Sequence, residues 1–404
     1  MQNALEVLEE RGFIEQITDE KALRELFSKE SVPFYIGYDP TADSLHVGHF
    51  IALMVMSHMQ KAGHRPIILL GAGTAAVGDP SGKTDIRRML SKEELDYNAS
   101  KFKIQFSNFL DFEGENAAIM VNNADWLLPL NFVDFMRDIG SLFSVNKMLA
   151  AECYKQRMET GLTFFEFGYM LMQSYDFLHL YDELGCKLQM GGNDQWSNII
   201  GGVELIRKVR SAEAYGLTFK LLTTKEGKKM GKTEKGALWL DSNKTSPYEF
   251  YQYWRNIADE DVRNVLCLLT FLPMDEINKL TSLEGQEINE AKKTAAFEIT
   301  KLVHGEEEAV KARNAAEALF EGSGSLDNMP CARLENMNIS IIDAILATGI
   351  APSKGAARIL IVQGGISLND EKIDDLFYVL SEKDFKNGYA ILKKGKKIYY
   401  KLEV

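Results

Sequence analysis

Residues Tyr35-Ile36-Gly37-Tyr38-Asp39-Pro40-Thr41-Ala42-Asp43-Ser44-Leu45-His46-Val47-Gly48-His49 compress an apolar strand, a polar turn and the start of a long apolar helix into one short stretch. A strand that ends in a tight turn and re-enters as a helix is how a parallel β-α-β unit begins. The turn offers Asp43 or Ser44 as N-cap of that helix. Its N-terminus presents free N–H groups and the positive end of the helix dipole, which attract phosphate. His46 and His49 add imidazole donors, and Gly48 between them lets a flat base or a ribose approach the backbone. Taken alone, the same residues would also serve as surface histidines capping a helix.

The alternation continues down the chain. Strands are expected at Pro33–Tyr38, Arg65–Leu70, Ala117–Asn122 and Lys187–Met190. Helices are expected at Val47–Ala62, Lys92–Leu110, Phe164–Leu184 and Trp196–Val209. This order predicts an α/β fold with a Rossmann-like parallel sheet and helices on both faces. Ahead of it, Asn3 to Lys29 reads as two helices through Leu5, Leu8, Phe13 and Ile14, then Leu23, Leu26 and Phe27. From Tyr248 to Phe320 the texture turns to Ala, Glu, Lys and Leu, as in a helical bundle. Glu321 to Pro330 reads as a linker, and a small α+β unit follows. The expected division is 1–225 for the sheet domain, 226–246 for a loop and connection, 247–320 for the helical domain, 321–335 for the linker and 336–404 for the last unit.

The 404 residues carry a net charge of −12, which argues against general coating of nucleic acid but leaves room for a local basic patch. Asn336 to Val404 alone is +2, so the acidity lies elsewhere. Cys153, Cys186, Cys267 and Cys331 are far apart, and with six histidines they form no zinc signature, so no metal site is expected. Reduced thiols, an N-terminus unlike a targeting peptide and the lack of a long apolar run predict a cytoplasmic chain without a membrane span.

Four further constellations carry chemistry. Lys228-Lys229-Met230-Gly231-Lys232-Thr233 is a lysine-rich loop, which by itself could be a solvated turn. Gly71 to Thr84 follows a strand and ends in Gly82-Lys83-Thr84; a phosphate-binding P-loop needs Gly at position 77, where Val77 stands, so that motif is rejected. A substrate loop at the carboxyl end of a parallel strand is the better reading. Tyr169, Gln173 and Asp176 share one face of a helix whose neighbours are apolar, so their polar groups need partners, either from other helices or from a bound ligand. Gly191-Gly192-Asn193-Asp194-Gln195 sits between a strand and a helix; Asp194 could accept from ribose hydroxyls or cap the helix. In the last unit, Ser353-Lys354-Gly355-Ala356-Ala357-Arg358 and Lys393 to Lys397 supply positive charge suited to backbone contact with RNA.

His46-Val47-Gly48-His49 resembles the His-Ile-Gly-His signature of class I aminoacyl-tRNA synthetases, with Val47 in place of Ile. Lys229-Met230-Gly231-Lys232-Thr233 resembles their mobile Lys-Met-Ser-Lys-Ser loop, with departures at Gly231 and Thr233. Gly78-Asp79-Pro80-Ser81-Gly82-Lys83, the Tyr169/Gln173/Asp176 stripe and Gly191 to Gln195 are similar to bacterial-type tyrosyl-tRNA synthetases. The resemblance runs from Tyr35 into the last unit. It implies tyrosine activation by ATP, with Mg²⁺ accompanying the nucleotide, and transfer to tRNA(Tyr).

The resemblance also assigns residues. Tyr35, Asp79, Tyr169, Gln173, Asp176 and Gln195 would bind tyrosine, with Tyr35 and Asp176 on its hydroxyl. Such a site rejects phenylalanine because its own polar groups would be left unpaired; tyrosyl enzymes are themselves the standard illustration of this principle. Gly37, Asp39, Gly48, His49, Gly192, Asp194 and Lys232 would bind ATP. Thr41, His46, His49, Lys83, Arg87, Lys229, Lys232 and Thr233 would serve catalysis around the phosphates. Residues 226–246 would hold the mobile loop, 247–320 an anticodon-side domain and 336–404 an S-four-type RNA-binding domain with Lys354 and Arg358 toward RNA. A homodimer is expected, with Phe132 to Phe143 and Phe164-Phe165 as interface or simply as core. Tryptophan activation and an RNA-binding protein on a synthetase scaffold are the alternatives.

Overall fold

The computed structural model describes residues 3–75, 91–233, 236–283, 285–321, 331–386, 388–395 and 398–404, apart from a few side chains within them. The chain divides into two compact units, Met1–Asp241 with Arg263–Lys279, and Ser242–Val262 with Leu280–Val404.

The first unit runs α1 (Ala4–Glu10), β1 (Ile14–Ile17), α2 (Glu20–Lys29), β2 (Pro33–Tyr38), α3 (Val47–Lys61), β3 (Arg65–Leu70), α4 (Ala72–Ala75), α5 (Lys92–Phe106) and β4 (Ile119–Asn122). It continues through α6 (Ala124–Leu127), α7 (Phe132–Asp138), α8 (Val145–Leu149), α9 (Glu152–Thr160), α10 (Phe164–Phe167), α11 (Tyr169–Leu184), β5 (Leu188–Gly192), α12 (Trp196–Arg210) and β6 (Tyr215–Phe219). Its sheet has the order β1-β6-β5-β2-β3-β4. Strands β6, β5, β2, β3 and β4 are mutually parallel.

The expectation of a parallel sheet is corrected at one edge. β1 runs antiparallel to β6, pairing Ile14 with Phe219 and Ile17 with Leu217, so the sheet is mixed. The reading of Asn3 to Lys29 as two helices is corrected with it, because Ile14 belongs to that strand. Its partner lies about 200 residues away, and a four-residue strand carries too little periodicity to outvote a neighbouring helical pattern. The expected helix Phe164–Leu184 is likewise divided at Gly168 into α10 and α11.

Strands β2 and β3 are buried on both faces, with Phe34, Tyr35, Ile36, Ile67 and Ile68 each at most 3% exposed. This is why they read as continuous apolar runs. The strand order reverses between β2 and β5, and their pairing stops at Tyr35 with Gln189. Pairing of β2 with β3 continues to Tyr38 with Leu70, and of β5 with β6 to Gly192 with Phe219. The sheet therefore splits at the carboxyl ends of its two central strands, the crevice where open α/β sheets bind ligands.

Arg11 explains why Arg263–Lys279 joins the first unit. Its guanidinium donates to the carbonyls of Cys267, Thr270 and Leu272 at 3.1, 2.9 and 2.6 Å. These include carbonyls at the end of the helix Val262–Leu269, which have no partner of their own within the helix.

In the second unit, three helices pack together, Pro247–Arg255, Ile288–His304 and Glu306–Glu321. After them comes a five-stranded sheet built from Cys331–Arg333, Ile366–Leu368, Glu371–Lys372, Tyr389–Lys394 and Ile398–Glu403, with the helices Ile341–Ala347 and Lys354–Val362. Ile341, Ile345, Ala357, Ile361, Leu392 and Leu402 form its core.

Candidate active site

The start of α3 is built from its own histidines. The expected N-cap at Asp43 or Ser44 is corrected to His46, in extended conformation. Ser44 Oγ instead meets the Leu45 carbonyl and the Asp241 N–H. His46 Nδ1 accepts from the Gly48 N–H at 3.0 Å, and His49 Nδ1 accepts from the His46 N–H at 3.2 Å. This is a reciprocal capping box made of imidazoles. The two rings stack with centroids 4.0 Å apart. Because both Nδ1 atoms accept, each neutral ring carries its proton on Nε2. Burial lowers the pKa of His46, which favours that neutral form. A side chain at position 48 would collide with the His46 ring, whose Cε1 would lie 2.7 Å from its Cβ.

The lysine-rich loop lies against this helix start. The Met230 N–H donates to the Leu222 carbonyl, and the Leu238 N–H to the Gly231 carbonyl at 2.8 Å. Val47 then donates to the Leu238 carbonyl at 2.9 Å, and Leu240 to Leu45 at 2.9 Å. Met230 is buried, while Lys229 and Lys232 are exposed beside it. Gly231 sits at φ +80°, where a Cβ would lie 2.6 Å from that of Val47. The departure from serine at this position thus has a steric ground as well as a conformational one.

At the sheet split lies a buried polar cluster. Asp176 is 1% exposed. One carboxylate oxygen accepts from Asn123 Nδ2 at 2.9 Å and the other from Trp126 Nε1 at 2.8 Å. Burial raises its pKa to about 7, against the pull of those two bonds. Tyr35 is 1% exposed, its ring 5.4 Å from that of Phe177, and its hydroxyl has no partner. Burial, then the charge of Asp176, pushes the Tyr35 hydroxyl well above the usual tyrosine range. Gln173 donates to Gln195 Oε1 at 3.2 Å, and its own Oε1 is unpartnered, as is Gln189 Oε1 on β5. Tyr169 is buried on the same helix. An unsatisfied buried polar atom costs about 1–3 kcal/mol, so three at the mouth of a sheet split mark a place made for a polar ligand.

The chain matches the family model "tRNA synthetases class I (W and Y)" over residues 28–321 and "Tyrosine--tRNA ligase SYY-like C-terminal domain" over 321–402. The chain belongs to the class I tRNA synthetases. A tyrosine--tRNA ligase of Acetivibrio thermocellus is 60% identical over the whole of both chains. One of Caldanaerobacter subterraneus subsp. tengcongensis is 60% identical over all of this chain and 99% of its own. The crystal structure of a C-terminally truncated mitochondrial tyrosyl-tRNA synthetase of Aspergillus nidulans is 30% identical, with a TM-score of 0.71 over 79% of this chain and 95% of that one.

The synthetase fold brings many of the residues singled out by sequence to the carboxyl edge of the sheet. Tyr35, Gly37 and Asp39 lie on or just past β2, and the Thr41 N–H donates to the Asp39 carbonyl at 2.8 Å. Gly192 ends β5, and Asp194 is exposed in the turn beyond it. Asp194 does not cap α12; Gln195 holds that position. A Cβ on Gly192 would lie 2.6 Å from the Asp194 carboxylate. Asp79, Lys83 and Arg87 lie outside the described residues, as does the side chain of Thr233. Lys354 and Arg358 are exposed on the helix Lys354–Val362, where Lys354 pairs with Asp343 at 2.9 Å. Lys396 and Lys397 are outside the described residues.

Asn123 and Trp126 were not anticipated from sequence. The available signal was Asn122-Asn123 at the carboxyl end of a parallel strand, a polar pair where ligand-binding residues gather.

Proposed function

We propose a division of labour among these residues in a tyrosine--tRNA ligase, which joins tyrosine to tRNA(Tyr) at the expense of ATP. The observation that carries it is the buried, unpartnered Tyr35 hydroxyl lying within reach of the charge of Asp176. A phenol can accept from Tyr35 and donate to the Asp176 carboxylate at once. Tryptophan offers only an N–H and would leave the Tyr35 hydroxyl unpaired. Gln173, Tyr169, Gln195 and Asp79 hold the amino-acid end.

The tyrosine carboxylate is already a nucleophile, so it attacks the α-phosphate of ATP and expels pyrophosphate without a general base. Catalysis comes from positioning and from charge stabilisation. Thr41 and the Nε2–H of His46 hold the γ-phosphate. Lys83, Arg87, Lys229, Lys232 and Thr233 hold the departing pyrophosphate. Gly37, Asp39, Gly48, His49, Gly192 and Asp194 seat the adenosine. Mg²⁺ arrives as part of the nucleotide substrate, bound to its phosphates. A hydroxyl of the terminal adenosine of the tRNA then attacks the acyl carbon of the tyrosyl-adenylate, forming the ester and releasing AMP.

The catalytic domain is assigned to 1–225, the mobile loop and its connection to 226–246, an anticodon-side helical domain to 247–320, a linker to 321–335 and an S-four-type RNA-binding domain to 336–404. Lys354 and Arg358 face the RNA backbone. The chain pairs as a homodimer. Phe132, Val133, Phe164 and Phe165, at 66%, 69%, 69% and 53% exposure, support an interface there rather than a core. Among the described residues no helix is long and apolar enough to cross a membrane, and the cytoplasm is the proposed location.

ATP–pyrophosphate exchange with tyrosine, phenylalanine and tryptophan in parallel tests this reading. Exchange is expected with tyrosine, with phenylalanine used only at a rate lower by orders of magnitude, and with no use of tryptophan. Exchange with tryptophan would overturn the roles of Tyr35 and Asp176.

A further inference from the structure

The two bonds that hold the Asp176 carboxylate are supported very differently. Asn123 is 1% exposed and further tied to the Gly73 N–H at 2.8 Å and to Thr74 Oγ at 3.0 Å. Trp126 sits on α6, a single helical turn with no buried residue, and is itself only half-buried. Yet its Nε1 must reach Asp176 at 2.8 Å. The indole packs against the buried cluster that includes Tyr35 and Phe177, and the ring that stacks on it is His179, with centroids 4.3 Å apart and planes within 24°. His179 follows Asp176 by three residues on α11, so carboxylate and imidazole share one face of one helix.

We propose that His179 is a positioning residue for tyrosine recognition: its imidazole is the shelf that keeps the Trp126 indole in plane with Asp176, and so aims the remaining lone pairs of that carboxylate at the substrate hydroxyl. The role rests on Asp176 being the hydroxyl partner, as proposed above. Outer partners of this kind fix the orientation of the group that meets the ligand. The stack suits a neutral ring, and burial lowers the His179 pKa in that direction. Tyr175 flanks the imidazole at 6.4 Å and Phe135 meets Tyr175 edge-on at 5.6 Å, so the shelf is backed by aromatic packing.

The test is pyrophosphate exchange by the full-length protein with tyrosine and with phenylalanine, for His179→Ala, His179→Phe and Asp176→Ala. His179→Ala is expected to raise KM for tyrosine by about three- to ten-fold, the size of one aromatic pair. Its kcat and KM for ATP should stay near wild type. Phenylalanine has no hydroxyl for Asp176, so its use should be unchanged and discrimination should fall by the same factor. His179→Phe, which keeps a stacking face, should recover wild-type behaviour. Should the alanine variant fail to fold, His179→Leu, with bulk but no stacking face, takes its place. Wild-type tyrosine KM in His179→Ala would overturn the role. So would equal losses for both amino acids, which is what loosened packing alone produces, or a phenylalanine variant as poor as alanine. Asp176→Ala with intact discrimination would overturn the reading of the pocket itself and this role with it. Lost discrimination there, but not in His179→Ala, overturns the role of His179 alone.

Discussion

Asn123 Nδ2 donates to Asp176 Oδ2 across 2.9 Å, and both side chains are 1% exposed. The same amide reaches Thr74 and the Gly73 N–H. One side chain thus ties the carboxylate of the proposed tyrosine pocket to the segment that follows β3. Replacing it by alanine removes a donor from a buried carboxylate and leaves the Gly73 N–H bare. Asn123→Ala is expected to cost about 1–3 kcal/mol of stability in denaturant unfolding. It should also raise KM for tyrosine more than KM for ATP. An unchanged tyrosine KM would separate the bond from recognition.

The raised pKa of Asp176 sets a pH dependence. In the folded, ligand-free protein the carboxyl titrates at about 7, against 3.8 for an unperturbed group. Between those values the native state holds a proton that the unfolded chain has released, so this group's contribution to stability falls as pH rises through that window. In the proposed pocket the substrate phenol donates to the ionised form. KM for tyrosine should therefore fall as pH rises from about 6 to 8, with proton release on binding. The pKa of His46 is lowered, which places its own titration below its ordinary value of 6.5. Asp176→Asn should flatten the profile; a profile that survives that change would point to another group.

His46 caps α3 through Nδ1 and is proposed to hold phosphate through Nε2–H. His46→Asn keeps an oxygen able to cap, while its shorter amide leaves no donor at the Nε2 position. Its melting temperature should stay close to wild type while kcat for exchange falls by about 10²-fold, as for loss of one transition-state donor. Tyrosine affinity should be unchanged. Parallel losses in binding and rate would exclude a transition-state role.

Gly231 has φ +80° and lies where a Cβ would overlap Val47. Gly231→Val meets both obstacles, and the added β-branch makes the left-handed conformation worse. It should lift the Lys229–Lys232 segment from the start of α3, raising KM for ATP and lowering kcat, with tyrosine binding measured by equilibrium dialysis unaffected. Combining it with Val47→Gly, which removes both the Cβ and the Cγ atoms in its way, should recover part of the loss. Failure of that pair to couple would mean the conformation, not the clash, is decisive.

Much of the candidate site was legible because its residues cluster in short motifs. His46 and His49 sit in one helical turn, and Tyr169, Gln173 and Asp176 follow helical spacing. Asn123 and Trp126 escaped because nothing local distinguishes them from a strand end and a surface turn. They matter through a helix some 50 residues away. The cap moved from Asp43 or Ser44 to His46 for a similar reason: the main chain around Leu45 and Val47 is bonded to Leu238 and Leu240, which holds the turn open two residues longer.

The sequence by itself determined the alternation of strands and helices, the register of apolar positions in β2, β3 and α11, and the motifs that name the chemistry. These follow from periodicity and side-chain type, which act over a few residues. The tertiary structure alone decided that β1 closes the sheet antiparallel, that the sheet splits past Tyr35 and Gln189, and that Trp126 and Asn123 converge on Asp176. Each of these joins segments far apart in the chain. Their bonds form only once burial has removed water as a competing partner.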